Sequence, residues 1–410
     1  MEQDQFRVYG YRWVVLLVFM LVIAMNQMMW ISFAPITGPA ATFYGVSDLQ
    51  IGLLSLMFMV VYIIVSVPAS WIIDTYGIRV AVGIGAALTG VFGLMRGMVG
   101  DDYNLVLVAQ IGIAVGQPFI LNAITTVAAQ WFPLQQRATA AGMGSLAMYL
   151  GIVLGLVLTP ILTLQADIPG MLMLYGIASL VAAIVFFALI KNRPPTAPCA
   201  PEHEERSLVY DGLKESLRRP TFIILLVIFF IGLGVFNAVT TWIEDIVRPR
   251  DFSIIQAGNI GGIMIFGGIL GAVVVPLMSD HYKKRTPFLR AAVLGATLGL
   301  VGITFAGTYW LILCSAFTFG FFLLSAGPLG FQYGAEVTYP APEGTSNGLM
   351  LLMGQISGII IILAMDIFKN PVTGSMSVPL SVLIGFLFIA LALSTRLKEA
   401  LNLEENKDDN

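Results

Sequence analysis

Charge is what this chain has least of. Asp, Glu, Lys and Arg make up 11% of its 410 residues, against 58% hydrophobic residues. A water-soluble globule of that size needs far more polar surface, so a soluble fold is excluded and the solvent of most of the chain is lipid. The mean hydropathy of +0.88 agrees. Cysteine and histidine are scarce as well: only Cys199, Cys314, His203 and His281 are present. The cysteines fall in a loop and a helix of opposite halves, which argues against a disulfide, and two histidines with them do not build a metal site. No metal, resident cofactor or catalytic residue is expected. The net charge of −3 points to no particular partner, and no nucleic-acid partner is expected.

Long apolar runs are what remains. A helix needs roughly 20 apolar residues to cross the hydrocarbon. Twelve such runs can be marked, at 13–34, 49–73, 78–98, 104–130, 138–163, 169–190, 221–245, 256–279, 287–306, 308–334, 345–367 and 376–396. An all-α membrane protein with twelve transmembrane helices is therefore predicted. The first run is too long for a signal peptide and lacks an A-x-A-like cleavage site, so it reads as a retained span. With the N-terminus placed inside and the segments alternating, 17 Lys and Arg residues fall in inner segments. Only Arg96, Arg248, Arg250 and Lys369 fall in outer ones. Both termini are expected in the cytoplasm, in a multi-pass protein of the cytoplasmic membrane.

The longest polar stretch, 191–219, opens with prolines that cannot continue the sixth run and then reads as an amphipathic helix around Leu208, Leu213 and Leu217. It separates six runs from six. The expected organisation is an N-terminal half over 1–190, a cytoplasmic linker over 191–219, a C-terminal half over 220–397 and a solvated tail over 398–410. The halves echo one another: "PASWIIDTYGIR" and "VPLMSDHYKKR" each place an Asp five residues before an Arg in a short inner loop, Asp74 with Arg79 and Asp280 with Arg285. A carboxylate at a helix end tied to a loop arginine can latch a gate. A plain surface ion pair, worth about 0–1 kcal/mol, is the simpler alternative. Here the sequence resembles the major facilitator superfamily, whose loop between spans 2 and 3 carries G-x-x-x-D-x-x-G-x-R. Asp74, Gly77 and Arg79 match that pattern, and Ser70 replaces its opening glycine. The resemblance implies two pseudo-symmetric six-helix halves.

Polar groups at bilayer depth usually face the bundle interior or water. Asn26 and Trp30 lie four apart on one face of the first run, with Gln27 beside them. The fourth run offers Gln110, Gln117 and Asn122. Asn237, Thr241 and Glu244 share a face of the seventh, Asp245 sits one turn beyond Thr241, and the eleventh contributes Asn347 and Gln355. Interhelical hydrogen bonding, at about 0.6 kcal/mol per bond, explains any single amide as well as a binding role does. Trp30, Gln117 and Gln355 together favour binding. Spans 1, 4, 7 and 10 line the cavity in the superfamily resembled. Gly151/Gly155, Gly258/Gly262 and Gly267/Gly271, each four apart, allow close backbone approach in the fifth and eighth runs. In "FQYGAEVTYPAPEGTSNG" the prolines stop the tenth run, and Glu343 with Thr345 opens the next. Glu336, one turn inside that end, reads as a gate or relay residue needing a partner, for which basic loop residues of the other half are candidates. A snorkelling surface glutamate is the alternative.

Several stretches are similar to the feline leukaemia virus subgroup C receptor-related family of haem, choline and ethanolamine transporters: "PASWIIDTYGIR", "GQPFILN" with "AAQWFP", "GGIMIFGGILGA", and above all "GPLGFQYGAEVTYPAPEGTSNG". That resemblance implies that Trp30 stands where the family meets a quaternary ammonium by cation–π attraction, with Tyr62, Gln117 and Gln355 at pocket positions. Asn237 replaces a span-7 aromatic, so one wall of the cage is missing. Haem is disfavoured because His203 and His281 fall in loops.

The reading is a monomeric transporter in the lipid bilayer that moves a small organic solute, by alternating access around a central cavity. An amine or quaternary ammonium compound is first, for Trp30, Tyr62 and the acidic pair Glu244/Asp245. The expected binding set is Asn26, Gln27, Trp30, Tyr62, Gln117, Asn122, Asn237, Thr241 and Gln355. The expected gating or coupling set is Asp74, Arg79, Glu244, Asp245, Asp280, Arg285 and Glu336. An organic anion such as a carboxylate or siderophore fragment is the second substrate class, weakened by the lack of Lys or Arg deep in a span. A non-transporting receptor would need a folded cytoplasmic domain, for which 191–219 is short. An intramembrane enzyme would need a nucleophile–base pair, and none is found.

Overall fold

The computed structural model describes residues 7–198, 214, 216–339 and 343–399, with backbone alone for 343–345. The linker around Leu208 and Leu213, Cys199, His203, the turn residues 340–342 and the tail beyond 399 lie outside the described residues.

Lipid offers no partner for backbone N–H and C=O groups, so apolar runs of this length satisfy them internally as helices. Among the described residues every regular element is helical: α1 (Arg12–Ile31), α2 (Thr37–Tyr44), α3 (Asp48–Tyr76), α4 (Ile78–Met98), α5 (Tyr103–Leu121), α6 (Ile124–Trp131), α7 (Leu134–Leu189), α8 (Pro220–Thr241), α9 (Ile243–Val247), α10 (Ile254–His281), α11 (Thr286–Phe305), α12 (Tyr309–Thr338), α13 (Glu343–Ile367) and α14 (Ser377–Ser394), with 3-10 turns at Ala34–Ile36 and Arg248–Arg250. Among the described residues eleven helical stretches are long and apolar enough to cross a membrane, and the 56-residue α7 holds two of the expected spans. Those two, expected to be parted by a loop, meet at a single break, Asp167, with φ 57° and ψ 177°.

Three runs expected to be continuous are interrupted. The first stops at Ile31, three residues short of its expected end, where Pro35 opens a 3-10 turn. In the fourth, Asn122 and Ala123 separate α5 from α6, four residues after Pro118 removes a ladder donor. The seventh breaks at Trp242 between α8 and α9.

Contacts divide the chain into two compact units, Met1–His203 with Val239–Gly262, and Glu204–Ala238 with Ile263–Asn410. In the first unit, Phe19, Ile120, Trp131, Phe132 and Phe186 anchor a buried apolar cluster. Its helices approach closely where side chains are absent: a Cβ on Gly151 would strike the Ala24 carbonyl, and one on Gly155 would lie 2.9 Å from the Met28 oxygen. Gly258 is pressed likewise on the Leu156 carbonyl. The second unit repeats the device between α10 and α12, with Gly271 against the Phe321 carbonyl and Gly320 against that of Met264. Ile64, Val67, Leu277, Leu298 and Val382 stay exposed, which suits side chains turned to hydrocarbon.

Candidate functional site

The polar residues of the first unit separate into those whose hydrogen bonds are spent and those left available. Asn26 is wholly buried and donates to Thr89 Oγ1 at 3.1 Å and to the Ile113 carbonyl at 3.4 Å. Gln27 donates to Asn26 Oδ1 at 3.4 Å. Trp30 is 6% exposed; its indole N–H donates to the Ser55 carbonyl at 3.1 Å, and Ser55 Oγ donates back to the Trp30 carbonyl at 3.2 Å. This reciprocal pair fixes the ring plane against α3. Tyr62 donates to Asn122 Oδ1 at 2.7 Å, while Asn122 Nδ2 reaches Ser66 and Ser70 Oγ at 3.0 Å each. The α5–α6 break therefore places Asn122 where it binds α3 rather than continuing a helix. Gln117 differs: 7% exposed on α5, its amide has no protein partner among the described residues.

One buried cation was legible in the sequence only as a residue near the outer end of span 3. Arg96 is completely buried; its Nη1 donates to Gln110 Oε1 at 2.6 Å and, at 3.2 Å, to Ser32 Oγ and the Met29 carbonyl. Gln110 Nε2 donates to the same carbonyl at 3.2 Å. Together they satisfy the orphan acceptors where α1 ends, one residue after Trp30, and a cation is favoured at a helix C-terminus. The Arg96 guanidinium also lies 5.7 Å from the Phe33 ring centroid, but its Nε and Nη2 have no partner and no carboxylate pairs with it among the described residues.

Glu244 and Asp245 fall on α9, inside the first unit. Both are buried, and both bind Arg248: Glu244 Oε2 and Asp245 Oδ1 each lie 2.7 Å from Nη2. Asp48 closes the cluster at 3.1 Å from Nη1, and Glu244 Oε2 accepts from the Gly38 N–H at 3.0 Å, at the first turn of α2. Burial works against the Arg248 charge, yet the hydrogen bonds of Glu244 and the charges of Asp245, Glu244 and Asp48 prevail and raise its pKa. The acidic pair is thus neutralised internally, which offsets the attraction for a substrate amine that the sequence suggested. Thr241, 1% exposed at the end of α8, leaves its hydroxyl without a partner among the described residues.

In the second unit, Asn237 Nδ2 donates to the Gly354 carbonyl at 3.3 Å, bringing α8 onto α13 beside Gln355. The half-buried Gln355 amide has no protein partner among the described residues, and Asn347 Oδ1 is buried without one. Arg285 binds both Asp280 and Glu336, the latter at 3.2 Å. Glu336 therefore pairs within its own half, a correction to the expectation of a basic partner from the other. Its neighbour Gln332 also donates to it, at 3.1 Å. Burial opposes the Arg285 charge, but the hydrogen bond to Asp280 and the charges of Glu336 and Asp280 raise its pKa. The first-half copy of the motif does not form an ion pair: Asp74 and Arg79 are both exposed and do not meet. Arg79 instead gives its backbone N–H to Asn192 Oδ1 at 3.3 Å.

The start of the expected solvated tail is docked. Tyr333 donates to the Lys398 carbonyl at 2.6 Å. Glu399 accepts from the Arg285 N–H at 3.0 Å, the Thr286 N–H at 2.9 Å and the Thr286 hydroxyl at 2.7 Å. Burial alone would raise the Glu399 pKa, but these bonds hold it below the ordinary value. Nothing in the run "KEALNLEENKDDN" signalled this, because the partners lie from 65 to 114 residues apart in the chain.

The helical arrangement is shared with a bacterial homologue of the human lysosomal transporter Spinster, solved in an inward-facing, unoccupied conformation. The match has a TM-score of 0.74 at 15% identity and covers 95% of this chain and 97% of that one. Among curated proteins, Solute carrier family 49 member A3 of Xenopus tropicalis is 33% identical over 90% of this chain and 80% of its own length. The choline/ethanolamine transporter FLVCR2 of Homo sapiens is 28% identical over 97% of this chain and 79% of its own length. Residues 17–362 match the family model described as Major Facilitator Superfamily. The chain belongs to the Major Facilitator Superfamily, as a membrane transporter related to the FLVCR choline/ethanolamine transporters.

Proposed function

We propose that this transporter carries a small amine or quaternary ammonium compound across the cytoplasmic membrane by alternating access, with both termini in the cytoplasm. The observation that carries the reading is Trp30: a deeply buried indole whose ring is locked to α3 through Ser55, on a helix packed against the α5 that bears the unspent Gln117 amide. A ring of fixed orientation meets a cation without an ordering cost, and cation–π attraction gains when the site is desolvated. Tyr62 is held beside Asn122, and within the second unit Asn237 is held on the Gly354 carbonyl next to Gln355. Relatives named choline/ethanolamine transporters support the same substrate class. Asp280, Arg285 and Glu336 form the candidate gating cluster of the second half, with Asp74 and Arg79 their counterparts in the first.

Thermal-shift titration of the purified protein with choline, ethanolamine and betaine tests this. Choline is expected to raise the melting temperature of the parent protein, less in Trp30→Phe, and not in Trp30→Ala. A choline response that survives Trp30→Ala ends the reading.

One observation favours a second reading. Arg96 is fully buried without a carboxylate partner among the described residues, which supports an organic anion as substrate. Stabilisation by simple carboxylates but not by choline, lost in Arg96→Gln, would select it.

A further inference from the structure

We infer that the chain segment leaving the last helix of each six-span half is a positioning strap for that half's loop arginine, with Asn192 and Glu399 as its contact residues. Two independent hydrogen-bond sets carry this. Asn192 follows the end of α7 at Leu189 and accepts from the backbone N–H of Arg79 at 3.3 Å. Glu399 follows the end of α14 at Ser394 and accepts from the backbone N–H of Arg285 at 3.0 Å. Arg79 and Arg285 are the equivalent residues of the internal repeat, so the same donor is capped by the same piece of chain in both copies.

The chemistry explains why a strap is needed at that place. Arg79 lies in the first turn of α4, and Arg285 and Thr286 begin α11. Their N–H groups have no intrahelical acceptor, and an oxygen supplied from elsewhere completes them. Gly77, immediately before α4, has φ +80°, and a Cβ there would collide with the Asn192 amide. The backbone is thus shaped to admit the strap.

The two copies differ in strength. In the first half the Asn192 bond is the only tie on Arg79 outside its own helix among the described residues, since Asp74 does not pair with it. In the second half the strap is charged and better anchored. Glu399 takes three donors, and Arg290 reaches the Ser394 carbonyl at 3.2 Å and that of Leu397 at 3.0 Å. Tyr333 pins Lys398. The C-terminal strap therefore holds the loop that carries the Arg285–Asp280–Glu336 cluster, and Asn192 and Glu399 act on the gating loops through main-chain geometry rather than by touching substrate.

Hydrogen–deuterium exchange on the full-length protein tests the strap without reference to any substrate. Glu399→Ala is expected to speed exchange of the Arg285 and Thr286 amides roughly tenfold, as loss of a capping bond requires. Glu399→Gln, which keeps an accepting oxygen, is expected to stay close to the parent. Asn192→Ala is expected to do the same at Arg79 while leaving Arg285 unchanged. With choline as the probe in vesicle uptake, Glu399→Ala lowers the maximal rate and leaves the half-saturating concentration in place. Unchanged exchange at Arg285 in Glu399→Ala, or equal acceleration in the Ala and Gln variants, overturns the strap. Should Glu399→Ala fail to fold, unchanged exchange at Arg79 in Asn192→Ala overturns it instead. Faster exchange with no choline uptake in the parent protein retains the strap and removes the amine reading.

Discussion

Among the described residues, Arg96 is a buried charge of the first unit without an opposite charge. Its Nη1 has three acceptors there and its other two nitrogens have none, so its burial cost is only partly offset. What those acceptors gain is clearer: Arg96 and Gln110 together satisfy the Met29 carbonyl in the last turn of α1, beside Trp30. Gln110→Leu removes the shortest of the three bonds. It is expected to destabilise the protein by about 1–3 kcal/mol, read as a lower melting temperature. Adding Arg96→Met to that variant is expected to recover part of the loss, because the charge then leaves together with its acceptor. Further destabilisation by the second change would mean that the cation stabilises α1 by its charge alone.

At the scale of elements, helices that lie in lipid gain little from apolar contact with one another, since acyl chains are equally apolar. Close backbone approach is what remains, and the glycines show where it occurs. Gly320 of α12 lies against the Met264 carbonyl of α10 with no room for a methyl group. Gly320→Ala must push the two helices apart, at a cost of roughly 1–3 kcal/mol. Gly385→Ala on α14, where a Cβ would meet nothing within 4 Å, is the matched control. A melting-temperature drop in the first and none in the second is expected; equal behaviour would remove the packing argument. The breaks between elements follow a related logic. Where α1 stops inside a span, at Ile31, the Arg96 side chain takes up a freed carbonyl, that of Met29, and at the α5–α6 break the Asn122 side-chain amide ties the chain to Ser66 and Ser70.

For the whole molecule, the placement of charge bears on energetics. A proton-driven carrier ordinarily keeps an ionisable relay within its spans. Here Glu336 lies near the end of α12 and is paired with Arg285, while Glu244 and Asp245 are engaged by Arg248 outside the long helices. Uptake into sealed vesicles is therefore expected to proceed at the same rate with and without an imposed pH gradient. Collapse of uptake when the gradient is removed would require a relay that these residues do not provide.

Much of this was open to a reader of the sequence. Apolar runs of about twenty residues dictate membrane helices because nothing else satisfies a backbone in hydrocarbon. Composition and length thus determined the fold class, and the repeated Asp-to-Arg spacing marked equivalent loops. Hydrogen-bond partners were not legible, since a side chain's neighbour in a helical bundle is set by packing between residues far apart in the chain. Only tertiary structure decided that Asn26 spends its amide on Thr89 while the Gln117 amide has no protein partner among the described residues. It also decided that Arg248 neutralises Glu244 and Asp245, that Asp280 finds Arg285 while Asp74 stays apart from Arg79, and that Glu399 docks instead of drifting in solvent. Periodicity reports which face of a helix is apolar; it carries no information about what that face meets.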